Sequence, residues 1–371
     1  MTRAAVDYLV VGSGLTGAVI ARELVDAGHD VLVVDRRTHL GGNVHDSVRQ
    51  GGIRVHTYGP HYFRTNSHRI WSFVNRFAEF YKYEAVLVSD VADRFEHWPV
   101  TAGYIRRAVG EDWAPAFDGT PTNFEEASLA MMPASVYRDF VKGYTEKQWG
   151  VPAASLSAEL AGRFDVRADD DVRLKRQRHQ GIPVGGYAWM MAAMLDGIRV
   201  ELGHDHLLQP DAVRWRKGLV FTGPIDEYFG YRLGRLAYRG QRREHEYLAD
   251  VDQVQPYGQV NNPDPARGPH VRTLEWRHML SPAEQAAAVG TILTREIPFT
   301  PAADEADLCE YPFPDAANKD LYQRYRALAR SEHGVLIAGR LGEYRYYDMD
   351  QAIARALLLA KRLLGRTSVS G

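Results

Sequence analysis

Three glycines and an acid carry the first recognisable chemistry. Gly12-Ser13-Gly14-Leu15-Thr16-Gly17 follows the apolar run Tyr8–Val11, and Asp35 closes a second run, Val31–Val34. In a G-x-G-x-x-G loop between strand and helix, Gly12 permits the tight turn and Gly14 lets backbone approach a pyrophosphate. Gly17 then allows helix and strand to pack closely. The helix start at Leu15 and Thr16 offers N–H donors and the positive end of a dipole to phosphates. Asp35, about 20 residues on, is placed to accept hydrogen bonds from an adenosine ribose. Arg36 follows it, and Leu40-Gly41-Gly42-Asn43 then brings two glycines where backbone runs close to a ligand. Strand, loop, helix, strand and acid together point to dinucleotide binding.

An α/β fold is what must position these residues: a Rossmann-like domain joined by a helical insertion and an antiparallel sheet. With 371 residues, two to three domains are expected. Ile70–Phe80, Val100–Val109, Asn123–Met131 and Ala134–Lys147 read as helices, with Asn123 capping the third. From about 195 to 300, short alternating stretches such as Gly218–Thr222 and His270–Glu275 suggest the antiparallel sheet. Val335–Ala338 reads as a strand and Asp350–Leu364 as a helix returning to the first domain. The expected partition is 1–80 with about 181–215 and 325–371 as the FAD-binding α/β domain. Residues 81–165 form the helical domain and 216–324 the sheet domain, with a mobile loop at about 166–180. An acid followed by a Gly-Gly loop is the pattern of FAD sites in glutathione-reductase-type flavoproteins; a plain glycine turn is the alternative.

Lys and Arg number 45 against 47 Asp and Glu, a net charge of -2 that leaves no broad footprint for nucleic acid or an anionic membrane. A single cysteine, Cys309, excludes an internal disulfide. No segment approaches the roughly 20 apolar residues of a membrane span. A cytoplasmic protein is expected.

Longer strings narrow the reading. Tyr58-Gly-Pro-His61, Lys142-Gly-Tyr-Thr-Glu-Lys-Gln-Trp-Gly150, Gly181-Ile-Pro-Val-Gly-Gly-Tyr187, Thr222-Gly-Pro-Ile-Asp226 and Gly339-Arg-Leu-Gly-Glu-Tyr-Arg-Tyr-Tyr-Asp-Met349 occur in order. With them the chain, from about Asp7 to Leu363, resembles the UDP-galactopyranose mutase family. The resemblance implies an isomerase that interconverts pyranose and furanose forms of a nucleotide-linked sugar. It also implies FAD in its reduced form, a flavin-sugar adduct on the reaction path, and a homodimer.

Residue roles follow from the same resemblance. Arg163 and Arg272 fall at the diphosphate-binding arginines, and Tyr311 and Tyr346 at tyrosines that donate to the same phosphates. Phe140, Tyr144 and Trp149 match the aromatic set beside nucleotide and sugar; their spacing alone also fits ordinary packing. His61 matches the histidine of the flavin-contacting loop, while Arg340, Asp348 and Met349 match the strand end and helix start at the flavin.

The departures are informative. Arg163-Phe-Asp-Val-Arg167 leads into Ala168-Asp169-Asp170-Asp171-Val172-Arg173-Leu174, with Leu174 where the family has a base-stacking tyrosine. Thr101 stands where Asn is usual, and Arg64 where His is usual. Carboxylates suit a guanine edge, whose N1–H and N2–H₂ are adjacent donors, so a GDP-linked hexose is expected, with UDP and dTDP sugars as alternatives. The Asp169–Asp171 run also allows a solvated acidic loop, or a Mg²⁺ or Mn²⁺ site serving a flavin-free mutase. A flavin oxidoreductase such as an amine oxidase shares the FAD domain, but has no use for two diphosphate arginines.

Overall fold

The computed structural model describes residues 5–164, 166–303 and 305–365. Its centre is a five-stranded parallel sheet. In spatial order the strands are Arg199–Leu202, β2 (Val31–Asp35), β1 (Val6–Val11), Trp215–Phe221 and Val335–Ile337. All five residues of β2 are buried, the signature of a strand covered on both faces. Helix α1 (Leu15–Asp26) and the C-terminal helix Met349–Leu363 pack together over this sheet. Their apolar faces, with Ile20, Leu24, Ile353, Leu357 and Ala360, enter the largest core.

Gly218–Phe221 departs from expectation. It pairs in parallel with β1 rather than joining the antiparallel sheet. Gly218-Leu-Val-Phe is a continuous buried run rather than an alternating one, which is what a central parallel strand requires. Gly218 also lies flat against Tyr8, whose ring stands 3.1 Å from where a Cβ would be.

A seven-stranded sheet forms the second layer, in the order Tyr311–Pro312, Tyr238–Leu248, Thr291–Phe299, Arg272–Glu275, Gln259–Asn261, Leu87–Val91, Arg94–Trp98. Its pairings are antiparallel except between Gln259–Asn261 and Leu87–Val91. Residues 87–98, expected in the helical domain, therefore form its edge. The predicted helix at Ile70–Phe80 is His68–Val74, and Phe80–Lys82 instead pairs with His179–Pro183. Phe63–Thr65 completes that small sheet, with Arg64 opposite Gln180.

The helical insertion has its own core of Ile105, Phe124, Val136, Phe140, Trp149 and Leu160. Asn123 caps its helix as predicted, accepting from Glu126 N at 3.0 Å. The segment Ala134–Trp149 continues as one helical rod through a π-helical stretch at Tyr137–Lys142. No described helix is long and apolar enough to cross a membrane.

Candidate active site

Strand β1 delivers the chain to Gly12, at φ +105°, where a Cβ would sit 2.0 Å from Thr222 Oγ1. A Cβ on Gly17 would sit 1.9 Å from the Gly12 carbonyl oxygen. Packing within the fold dictates both glycines. Gly14 differs: its φ is −70°, and a Cβ there would meet nothing nearer than 3.7 Å. The protein itself does not require glycine at that position, so the requirement lies with whatever approaches the main chain. Gly41 and Gly42 face it, and a Cβ on Gly42 would come within 2.9 Å of Gly14 Cα. Gly12, Gly14, Leu15, Thr16, Gly42 and Asn43 thus line a cleft whose floor is bare backbone at a helix start. That cradle fits a dinucleotide pyrophosphate.

Asp35 lines the cleft with both oxygens already engaged. Oδ2 accepts from Ser13 N and Oγ at 2.7 Å each, and Oδ1 from Arg37 N at 2.9 Å. The carboxylate pins the glycine turn to β2. Arg36 forks onto Glu227 at 2.8 and 2.5 Å and meets Asp307 at 3.3 Å. Asn43 accepts from Arg37, whose guanidinium stands 4.4 Å from the Tyr58 ring centroid.

The opposite end of the cleft is reached by His61, Arg340, Asp348 and Met349, with Arg64 beside them. His61 donates its backbone N–H to His56 Nδ1 at 3.0 Å and pairs its own Nδ1 with the Gly59 carbonyl at 2.7 Å. Burial, reinforced by the positive charge of Arg340, pushes His61 down to about 3, so its ring is neutral.

Arg272, Tyr311 and Tyr346 line this cleft and also a second cavity. The two tyrosine rings stack at 6.1 Å and 12°, and the Arg340 guanidinium lies 5.9 and 5.3 Å from their centroids. Arg272 is paired through Nε with Glu296, which is fully buried. Glu296 also takes Arg243 at 2.9 Å, and Arg243 forks onto Glu310 at 2.8 and 2.9 Å. Burial alone would raise Glu296, yet Arg272 and Arg243 outweigh it and hold the carboxyl below its usual range. Burial pushes Glu310 up. A guanidinium fork and two phenols converging at one place suit an anion with several acceptor oxygens.

The remaining wall of the second cavity is Tyr144, Thr145, Gln148, Trp149, Leu160 and Phe164. The first four lie on one side of the helix Gly143–Trp149, at spacings that place them on adjoining turns. Thr145 Oγ1 is buried without a partner among the described residues. Arg239 donates to the carbonyls of Gln148 and Lys147, and Lys147 to those of Asp264, Gly268 and His270. These bonds fix the end of the helix against the sheet.

Other predicted site residues lie elsewhere. Phe140 is core, packed on Tyr104 and Trp98. Thr101 caps the helix Ala102–Val109. Arg167 is buried and donates to the carbonyls of Asp171 and Leu174. Leu174 packs against the main core. Asp169 is paired with Arg176, and Asp171 with Arg173 at 2.9 Å, which holds its carboxyl well below the usual range. Asp170 accepts from Gly103 N at 2.7 Å. None of these residues lines either cavity. The three aspartates form no metal-binding group, and none is present among the described residues. Arg163 ends the turn Ala158–Arg163, and its side chain lies outside the described residues.

Sequence reasoning passed over Glu296, Arg243, Glu310, Thr145 and Gln148. Glu296 did leave a signal: it occupies an inward position of the strand Thr291–Phe299, between exposed Arg295 and half-buried Ile297, where an apolar residue is the norm.

The comparisons agree with this geometry. A family model described as UDP-galactopyranose mutase matches residues 139–346, and one described as an NAD(P)-binding Rossmann-like domain matches 10–77. A probable UDP-galactopyranose mutase of Klebsiella pneumoniae is 33% identical over 96% of this chain and 94% of its own. A dTDP-fucopyranose mutase of Escherichia coli is 31% identical over 95% of this chain and 97% of its own. A crystal structure of reduced UDP-galactopyranose mutase superposes with a TM-score of 0.78 at 14% identity, covering 98% of this chain and 95% of that one. Putrescine oxidase shares the fold more distantly, with a TM-score of 0.59. With a cleft for a dinucleotide, an arginine and two tyrosines at its mouth, and relatives matched from end to end, the chain belongs to the UDP-galactopyranose mutase family.

Proposed function

We propose that this chain interconverts the pyranose and furanose forms of a nucleoside-diphosphate hexose, with FAD held in the glycine-floored cleft. The observation that carries the reading is the sharing of Arg272, Tyr311 and Tyr346 between the two cavities. A diphosphate bound by these groups places its sugar against the end of the cofactor cleft and its base among the aromatic residues of the second cavity. Gly12, Gly14, Gly42 and the start of α1 would hold the cofactor's pyrophosphate, and His61, Arg340, Asp348 and Met349 would surround its ring. When bound and reduced, FAD would supply the nucleophile for the anomeric carbon. The chain's own part is to hold the diphosphate. Arg272 and the two phenols stabilise the negative charge that grows as the sugar–phosphate bond breaks, and fixing the sugar keeps its hydroxyls in reach for reclosure.

For the nucleotide we infer a pyrimidine. The guanine expectation needed carboxylates facing the base, and Asp169 and Asp171 face arginines instead. Among the described residues, those that line the second cavity offer hydroxyl, amide and aromatic groups and no carboxylate. Relatives named for UDP- and dTDP-linked sugars support the same choice. A cytoplasmic homodimer belongs to this proposal as well.

The test is direct. Purified protein is reduced with dithionite, incubated with UDP-galactopyranose, a dTDP-linked and a GDP-linked hexose, and analysed for the furanose. Flavin absorbance with furanose formed only after reduction is the expected result. A colourless protein stimulated by Mg²⁺ or Mn²⁺ would overturn the flavin reading, and stoichiometric O₂ consumption would make it an oxidase.

A further inference from the structure

The cofactor end of the site contains a cation that the family resemblance does not supply. Arg64 lies on the short strand Phe63–Thr65 and lines the cleft beside His61, Tyr62, Asp348 and Met349. Its side chain is 17% exposed. One terminal nitrogen pairs with Asp348 at 3.0 Å, at the start of the fifteen-residue helix Met349–Leu363. That contact accounts for one donor. The Nε atom is buried and has no hydrogen-bond partner among the described residues.

A largely buried guanidinium keeps its charge, and a single carboxylate partner leaves that charge available to a group in the cleft. The Arg64 side chain as a whole lines the cleft floored by Gly12, Gly14 and Gly42, and its charge is delocalised over all three nitrogens. Position along the cleft decides what the partner is. Asp35 marks the adenosine end and Gly14 the pyrophosphate. Arg64 lies at the far end, with His61, Arg340 and the residues shared with the second cavity, where the redox ring must lie to meet a sugar.

We propose that the Arg64 guanidinium lies against the isoalloxazine ring and stabilises its reduced, anionic form over the oxidised one. This inference rests on the FAD reading above and deepens it. Two-electron reduction takes two electrons from the reductant and one proton, which forms the N5–H bond. The ring is left with one negative charge spread over N1 and the neighbouring carbonyl. A guanidinium held in a low-dielectric cleft favours that charge more than the neutral oxidised ring. The start of the helix Met349–Leu363 adds a positive dipole end on the same side. Asp348 balances Arg64 before reduction, so loss of the arginine leaves a carboxylate facing the charged ring.

The experiment measures the midpoint potential of bound FAD at pH 7 by dye-coupled equilibration, with dithionite or an enzymatic reductant. Wild-type protein is compared with Arg64→Gln, Arg64→Met and Arg64→Lys. Gln and Met should lower the ratio of reduced to oxidised FAD affinity at least tenfold, a fall of about 30 mV for a two-electron couple. Lys keeps the charge and should recover most of that loss. Where Met does not fold, the Gln and Lys variants, similar in stem and different in charge, give the same answer. Potentials within a few millivolts of wild type in Gln and Met, with FAD fully bound, overturn the role of Arg64 and leave the cofactor reading intact. Wild-type protein that binds no FAD overturns the cofactor reading, and this inference with it.

Discussion

Two chains of alternating arginine and carboxylate run through the molecule in very different surroundings. One links Arg272, Glu296, Arg243 and Glu310 beneath the junction of the two cavities. The other links Glu84, Arg173, Asp171, Arg176 and Asp169 around the loop at 166–176. Their residue types and contact lengths are alike. In the first, the Glu296 and Glu310 side chains are 0% and 3% exposed; in the second, Asp169 and Arg176 are 56% and 47% exposed. Buried charges have no water to fall back on, so each must keep its partner, and the geometry becomes rigid. Exposed charges exchange partners with solvent and salt at little cost. The rigid chain is the one that aims a side chain into a cavity.

The sharpest way to break that contrast is to remove the shared acid. Glu296→Ala leaves Arg272 and Arg243 facing each other in a buried site, and should cost about 3–5 kcal/mol of stability. Urea unfolding of wild type and variant measures it. A loss as small as that of a loop variant would show that the junction is solvated and that burial does not separate the two chains.

Arg272→Ala comes next, and its effect is on rate. Losing a preorganised donor to developing diphosphate charge is worth about a hundredfold in turnover, on the order of 3 kcal/mol. FAD content, read from absorbance, should stay near wild type because the glycine floor is untouched. More than half the wild-type kcat in the folded, FAD-loaded variant would remove Arg272 from the diphosphate site.

Acid probes the same buried side. His56 accepts a backbone N–H on Nδ1, and burial holds His56 well below its ordinary value and His61 at about 3. Unfolded, both bind a proton near pH 6.5; folded, they resist until far lower. Their stabilising contribution is therefore complete above pH 6.5 and is lost as pH falls toward 3. By pH 5 the loss is about 2 kcal/mol for His61, and His56 acts in the same direction. A melting temperature that is flat from pH 7 to 5 would contradict the neutral, buried assignment.

How far the sequence reveals each region follows from the same physics. The glycine cleft is legible because backbone geometry restricts residue type: Gly12 needs a positive φ, and Gly14 leaves room for phosphate. Tyr346 is legible through a long motif, Arg272 and Tyr311 only through the family resemblance, and the three do meet at one junction. Their support is not, since the partner of Arg272 is Glu296, on another strand of the sheet. Gly218–Phe221 misleads because a few buried strand residues resemble each other in either kind of sheet. At Asp169–Asp171 the sequence shows three acids and nearby arginines but not their pairing, in which Arg173 and Arg176 take up two of the acids.

The smallest effect is expected from that loop, where the comparison is most easily lost. Asp169→Ala frees Arg176 from one of two carboxylates, and Arg176 keeps Asp171 at 3.0 Å. Asp171→Ala leaves Arg173 with Glu84 at 3.2 Å. In each case the exposed cations retain a partner and gain water, and the buried Arg167, 3.7 Å from Asp171, keeps its bonds to the carbonyls of Asp171 and Leu174. Melting temperatures should stay within about 2 °C of wild type, and the gap should close further at high salt, where surface pairs are screened. Neither carboxylate lines a cavity, so the ratio of UDP to GDP affinity should be the same in both variants as in wild type. Titration of the reduced protein with the two nucleotides reads this ratio directly. A tenfold change in it would bring the loop to the base and restore guanine as the nucleotide, whereas an unchanged ratio leaves base selection to the helix that carries Tyr144, Thr145 and Gln148.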